Sequence, residues 1–236
     1  MKARSVAIAG RAATSLVRGG PASVAKRLSG EARRAQILAK AAEYFAEYGL
    51  TAQTRGLAES CGISQRLLYR FFPTKAALLE EVYRTAILGA FQREWLPMLT
   101  DRAVPVDARL RRFYAAYFDG VLTRSWMRLF LYASLAEADM APNYIGEIVT
   151  GLLEIIVTEV AAEQRLALPA DEALCHEIGW TLHGAVSHLA IRRHLYRASR
   201  GLPIEQVVEL HVAAFIAGFG AIVERCGELE ERKVVN

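Results

Sequence analysis

TRGLAESCGISQRLLYRFFPTK, residues 54–75 of a 236-residue chain, reads as two short helices joined by a tight turn. Thr54 is placed to cap a first helix that closes at Gly62, and Ser64 to cap a second that Pro73 ends after Phe72. Gly62 permits the positive-φ corner, and Ala58 lets the two helices cross closely. This is the form of a helix-turn-helix. Within the second helix Leu68 and Phe72 join Ile63 as the inward face. Gln65, Arg66, Tyr69 and Arg70 fill the adjoining arc with groove-reading chemistry: Gln bonds adenine, Arg bonds guanine, and Tyr or Arg bonds phosphate. With Arg55 and Ser64 they make the candidate double-stranded DNA contacts.

Outward from this stretch the period stays helical and nowhere alternates, which predicts an all-α fold of about nine helices. Before it, Ile37, Leu38, Ala41, Ala42 and Phe45 share one face of a helix over 31–48, with Gly49 as a left-handed stop. After it, Thr74 caps a longer helix running towards Pro97. Periodic runs follow at 106–122, 125–138, 143–166, 171–199 and 204–227, punctuated by Pro105, Pro142, Pro169 and Pro203. The expected division is a basic, disordered arm over 1–30, a three-helix DNA-binding domain over 31–76, a larger helical body over 77–228 and a tail over 229–236.

Charge divides the same way. Residues 1–75 carry 13 Lys/Arg against 4 Asp/Glu, whereas residues 76–236 carry 16 against 21, so a segment of +9 sits on a body of −5. That asymmetry points to a polyanion partner for the N-terminal part. The first 30 residues hold no acid, which fits a mobile arm, an upstream start codon or an organellar transit peptide. Cys61, Cys175 and Cys226 form no CxxC pair, so a disulfide scaffold or zinc ribbon is not expected. The most apolar run, Val207 to Val223, is short for a bilayer span and contains Glu209 and His211, so no membrane partner and a cytoplasmic location are expected.

From Arg34 to Leu79 the chain resembles the TetR family of transcriptional regulators. The resemblance lies in Phe45 and Gly49 at the end of the first helix, Thr54, the Ala58, Gly62, Ile63, Ser64 set, then Leu68, Tyr69, Phe72 and Lys75. It implies that Thr54, Tyr69 and Lys75 contact phosphates, that residues 64–70 enter the major groove, and that the last two helices form a homodimer on an inverted-repeat operator. It also implies a small-molecule cavity between later helices and, most often, repression. Three positions depart from the pattern: Gln53 for a Thr, Gly56 for an acidic residue, and Arg66 for a small residue.

The body is aromatic, and most of its rings are expected in the core. Trp95, Tyr117, Trp126, Phe130, Trp180 and His183 are the candidate lining for a hydrophobic or aromatic effector. The five histidines, all from His176 onward, include no i, i+3 or i, i+4 pair, so no metal is expected. No nucleophile elbow, phosphate loop or dinucleotide fingerprint marks an enzyme or a cofactor. The competing reading is a carrier of hydrophobic ligands with the same fold and no use for DNA, against which the grouping of Gln65, Arg66, Tyr69, Arg70 and Lys75 stands.

Overall fold

The computed structural model describes residues 29–136, 140–196 and 201–235. The arm expected over 1–30 therefore lies almost wholly outside the described residues. Each of the nine expected runs is mainly helical over its described residues, and no strand occurs among the described residues.

Helix α1 (Gly30–Tyr48) starts at Ser29, whose side chain accepts from the Ala32 amide at 3.1 Å, and buries Ile37, Leu38, Ala41 and Phe45. It ends at Gly49, whose φ is positive as expected (83°), although ψ 164° lies outside the left-handed helical region. The chain then turns before α2 (Thr54–Ser60), the Ala52 amide closing on the Gly49 carbonyl at 3.2 Å, and Gly49 N–H still closes on the Phe45 carbonyl at 2.9 Å. The expected cap at Thr54 is corrected: the capping position falls on Gln53, and Thr54 is the first helical residue. Helix α3 (Gln65–Phe71) begins as expected, with the Ser64 hydroxyl accepting from the Leu67 amide at 3.2 Å, and Gly62 turns the corner at φ 64°.

Helix α4 (Lys75–Val82) does not run to Pro97. It passes through a π turn at Tyr83–Ile87 and a 3-10 turn at Leu88–Ala90, and α5 (Trp95–Thr100) follows as a separate helix. Pro97 is the third residue of α5, where the missing amide hydrogen has no helical partner to lose. Pro142 repeats this in α8 (Met140–Tyr144), so the helix expected from 143 starts earlier; a π turn at Ile145–Val149 joins it to α9 (Thr150–Gln164). Helices α6 (Val106–Gly120) and α7 (Arg124–Leu135) lie between, and α10 (Glu172–Ala190) ends in a third π turn, Ile191–Leu195.

Helix α11 (Ile204–Val235) overruns its expected end and absorbs the tail. Glu230 accepts from the Ala170 and Asp171 amides at 3.3 and 2.7 Å, fixing the entry to α10. The overrun also changes the membrane arithmetic. Ile204–Arg232 is long and apolar enough to cross a bilayer, with mean hydropathy 1.7, and only 22% of its most apolar window is buried.

Arginines join the parts. Arg109 on α6, 2% exposed, bonds Glu159 on α9 at 2.8 Å, reaches Glu163 at 3.5 Å and donates to the Leu99 carbonyl. Arg102 adds two bonds to Glu159, which ties the loop after α5 onto α9. Arg128 on α7 donates to the Ala46 carbonyl and to the Glu47 carbonyl at 2.8 Å, covering the last turn of α1 with positive charge where the helix dipole is negative. Its guanidinium also lies 5.3 Å from the Tyr132 ring centre.

Candidate nucleic-acid interface

The short loop from Ser60 to Ser64 brings α2 and α3 together. The Ile63 amide closes on the Ala58 carbonyl at 3.0 Å, while Leu57, Ala58, Leu68 and Phe72 sink into the core shared with α1 and α4. With that face buried, the opposite one must point outward. Gln65, Arg66, Tyr69 and Arg70 are exposed, as is Arg55, whose Nε lies 3.3 Å from Glu59. Lys75 is half-buried over the Phe45 ring at 5.8 Å, at the first turn of α4.

Thr54 is the exception among the candidates, because it is 7% exposed. Its hydroxyl lies 2.9 Å from the Tyr69 hydroxyl and accepts from Gln65 Nε2 at 3.1 Å. The cap expected of Thr54 is thus replaced by a bridge from the start of α2 to the face of α3. Eight candidates, Thr54, Arg55, Ser64, Gln65, Arg66, Tyr69, Arg70 and Lys75, fall on or beside this one surface.

Gly56, one of the departures, has a local cause. A Cβ there would stand 2.4 Å from the Tyr44 hydroxyl, which donates to the Gln53 carbonyl at 3.3 Å. Tyr44 thus lies across the first turn of α2, and only a residue without a side chain allows it so close. Tyr44 could not be picked from the sequence on its own; the misplaced glycine was the signal. Arg128 and Arg109 left no comparable trace, since an arginine on a helix reads as surface.

The six candidate lining residues do come together, but as a filled web. Trp95 meets Tyr117 edge-on at 6.1 Å, Tyr117 meets His183 at 5.5 Å, and Trp180 meets His183 at 5.3 Å. On the other side Trp126 stacks on Phe130 at 4.8 Å and touches Tyr144 at 5.1 Å, whose hydroxyl is 2.9 Å from that of Tyr117. Trp126 also borders a hollow of about 180 Å³ shared with Ala42, Ala86, Ala90 and Leu129.

Burial sets the electrostatics of this web. It pushes the Tyr117 and Tyr144 hydroxyls well above their ordinary range and drives the His183 imidazole down to about 4. The three π turns border it: Trp126 Nε1 donates to the Ile87 carbonyl at 3.4 Å, Tyr144 immediately precedes 145–149, and His194 lies 5.6 Å from Phe118. Such turns are uncommon and occur often at functional sites.

A two-helix reading head on a larger helical body defines a helix-turn-helix protein. Residues 37–82 match the family model described as bacterial regulatory proteins, tetR family. No curated protein matches the chain. Among solved structures it is similar to a TetR-like transcriptional regulator from Rhodococcus sp. RHA1, at 19% identity and TM-score 0.60 over 83% of this chain and 99% of that one. A TetR-family transcriptional regulator from Streptomyces coelicolor matches at 19% identity and TM-score 0.55 over 88% and 98%. PfmR, a TetR family transcriptional regulator from Thermus thermophilus, matches at 19% and 0.56 over 77% and 97%. Residues 37–82 thus carry the tetR-family segment in sequence, and the chain as a whole shares its fold with solved TetR-family regulators.

Proposed function

We propose that the chain is a cytoplasmic repressor that binds an inverted-repeat operator as a homodimer and leaves it when a hydrophobic or aromatic small molecule enters the body. The observation that carries the DNA half is the capped, outward arc of α3; Thr54, Arg55, Ser64, Gln65, Arg66, Tyr69, Arg70 and Lys75 make up the proposed DNA-facing surface, whether they touch DNA or set the residues that do. One seven-residue helix reads only a few base pairs, so two copies about 34–36 Å apart are needed for a useful site.

The poorly buried face of α11 supports the dimer. Leu210, Ala213, Ala214, Ala217 and Ala221 are exposed there, and Gly184 on α10 has room around it, its Cβ position meeting only Trp180 at 3.8 Å. A second copy covers this face more economically than a bilayer, because small residues let helices of two subunits approach closely. Gly184→Glu should give monomers in light scattering; dimers at micromolar concentration would remove α10 from the interface.

For the effector, Trp95, Tyr117, Trp126, Phe130, Trp180 and His183 are the proposed receptor. The web is closed, so a ligand must select a conformer in which it opens, and the bordering π turns supply the slack. DNA and ligand then oppose each other by the same coupling, about 1–3 kcal/mol or 5- to 150-fold in affinity. The test is titration of hydrophobic candidates against tryptophan emission and retention of DNA upstream of the gene. A ligand that quenches emission and leaves DNA affinity unchanged defeats the coupling; no DNA retained at low salt favours the carrier.

A further inference from the structure

We propose that Gln65 is a positioning residue and that Arg66 and Arg70 read the bases, so that each operator half-site carries two guanines about two base-pair steps apart. This rests on the DNA-binding reading above and specifies its chemistry.

The first observation is the chain of hydrogen bonds across the α2–α3 seam. Gln65 Nε2 is 3.1 Å from Thr54 Oγ1, and Thr54 Oγ1 is 2.9 Å from Tyr69 Oη. The amide of Gln65 can only donate through its nitrogen, so Thr54 accepts there; either hydroxyl of the Thr54–Tyr69 pair can donate to the other, and we take the arrangement in which Thr54 donates to Tyr69. The Tyr69 proton is then left for an acceptor outside the protein. A phosphate oxygen is such an acceptor, and Tyr69, 39% exposed, can reach it. With its nitrogen turned back to a buried threonine, Gln65 is not extended towards a base edge. Its work is to set the direction of the chain.

The second observation is which cations are already neutralised. Arg34 pairs with Glu81, Lys40 with Glu43 and Arg55 with Glu59. Among the described residues Arg66 and Arg70 have no such partner and are exposed; Arg33 and Lys75 also lack a carboxylate, but Arg33 bonds Gln36 on α1 and Lys75 lies over the Phe45 ring, so the two free cations of α3 are Arg66 and Arg70. They stand four apart, one above the other on α3, separated by about 6 Å along the axis at 1.5 Å per residue. Base pairs rise 3.4 Å each, so two guanidinium groups carried by a helix along the groove meet positions about two steps apart. Arginine bonds O6 and N7 of guanine bidentately, and no other base offers that acceptor pair in the major groove.

The experiment is selection from a random duplex library with the full chain, followed by affinity measurement on the enriched site. Wild type should enrich half-sites with the spaced guanine pair. Arg66→Ala and Arg70→Ala should each relax one guanine about tenfold and leave the other. Gln65→Ala should enrich the same sequence while binding every site several-fold more weakly. In a Tyr69→Phe background, Gln65→Ala should change nothing further, because the proton it directs is gone. Melting curves confirm that these surface variants stay folded. A base preference that shifts in Gln65→Ala, guanines that survive both arginine variants, or independent effects of Gln65→Ala and Tyr69→Phe would each overturn the assignment while leaving DNA binding intact. If wild type is retained by no duplex, the DNA-binding reading itself falls and takes this inference with it.

Discussion

Two pairs of hydroxyls in this molecule have the same length and opposite uses. Tyr69 and Thr54 lie 2.9 Å apart at the reading head, and Tyr117 and Tyr144 lie 2.9 Å apart in the body. The first pair ends at the surface with Tyr69 half in water, so one of its hydrogen-bonding valences is open to a partner. The second is sealed, with both residues 1% exposed, and burial raises the energy of ionising either ring. A polar group can serve recognition only where it is stable without its partner. Head and body therefore obey different rules: on the outward arc of the head exposed polar side chains such as Arg66 and Arg70 contribute little to folding, while in the web of the body the buried polar groups are structural until something opens it.

The largest expected effect lies where the body buries a charge. Arg109 is 2% exposed and holds Glu159, Glu163 and the Leu99 carbonyl. Glu159 is kept below the usual carboxylate range by Arg102 and, against its own burial, by Arg109. Arg109→Leu leaves buried acceptors bare and should cost about 3–5 kcal/mol in denaturant unfolding. Arg66→Leu in the head should change stability by less than about 0.5 kcal/mol. Similar costs for the two would erase the contrast.

Next comes acid. His183 is neutral and buried, with Tyr114 Oη 3.5 Å from its Nδ1 and the rings of Tyr117 and Trp180 around it. Its folded value near 4 is below the unfolded value near 6.5, so its contribution to stability is complete above about pH 6.5 and is lost as pH falls towards 4. The slope is about 1.4 kcal/mol per pH unit, or about 3 kcal/mol across the window. His194 and His211 are also shifted down, chiefly by burial, and act with the same sign. The check is therefore a difference: His183→Gln should flatten the unfolding free energy of wild type between pH 6.5 and 4. An unchanged slope would mean that His183 already reaches water.

The tyrosines themselves give the next smaller effect. Tyr117→Phe leaves the Tyr144 hydroxyl buried without its partner and should cost about 1–3 kcal/mol of stability. Tyr69→Phe should leave stability within about 0.5 kcal/mol and weaken DNA binding instead. If Tyr69→Phe were the more destabilising, the head would be held together by the bond assigned to recognition.

The same contrast explains what could be read from the sequence. The head was legible because its signals are local: Ser64 caps the helix after it, Gly62 turns, and Leu68 and Phe72 lie one helical turn apart. Where a residue has two local uses, its own sequence context does not say which one prevails. Thr54 looked like a cap because threonines cap helices, but its hydroxyl is taken by Tyr69 and Gln65 across the seam. The body was legible as helix and as aromatic, because period and composition survive without knowledge of partners. Whether its rings surround a void or fill it depends on distances between α6, α7, α8 and α10, and no spacing within one helix encodes them. Pro97 and Pro142 misled for a related reason: a proline ends a helix from inside and begins one from the first turn, and only the register tells which.

The smallest effect is the sharpest test of how tightly the head is built. Replacing Gly56 by Ala should gain up to about 1 kcal/mol of helix propensity in α2. The new methyl would stand 2.4 Å from the Tyr44 hydroxyl, however, so Tyr44 must swing away and give up its 3.3 Å bond to the Gln53 carbonyl. Losing that bond and part of the ring's packing costs about 0.5–1.5 kcal/mol, which is the same size with the opposite sign. The expected net change is within about 0.5 kcal/mol. Tyr44→Phe removes the obstructing oxygen; the ring carbon behind it, at 3.3 Å from the same position, is close but can yield by a few tenths of an ångström. In that background Gly56→Ala should stabilise by roughly 0.5 kcal/mol or more, measured by urea unfolding of all four proteins. If Gly56→Ala gains the same amount in both backgrounds, Tyr44 does not lie across α2 in solution, and the glycine there has no steric cause.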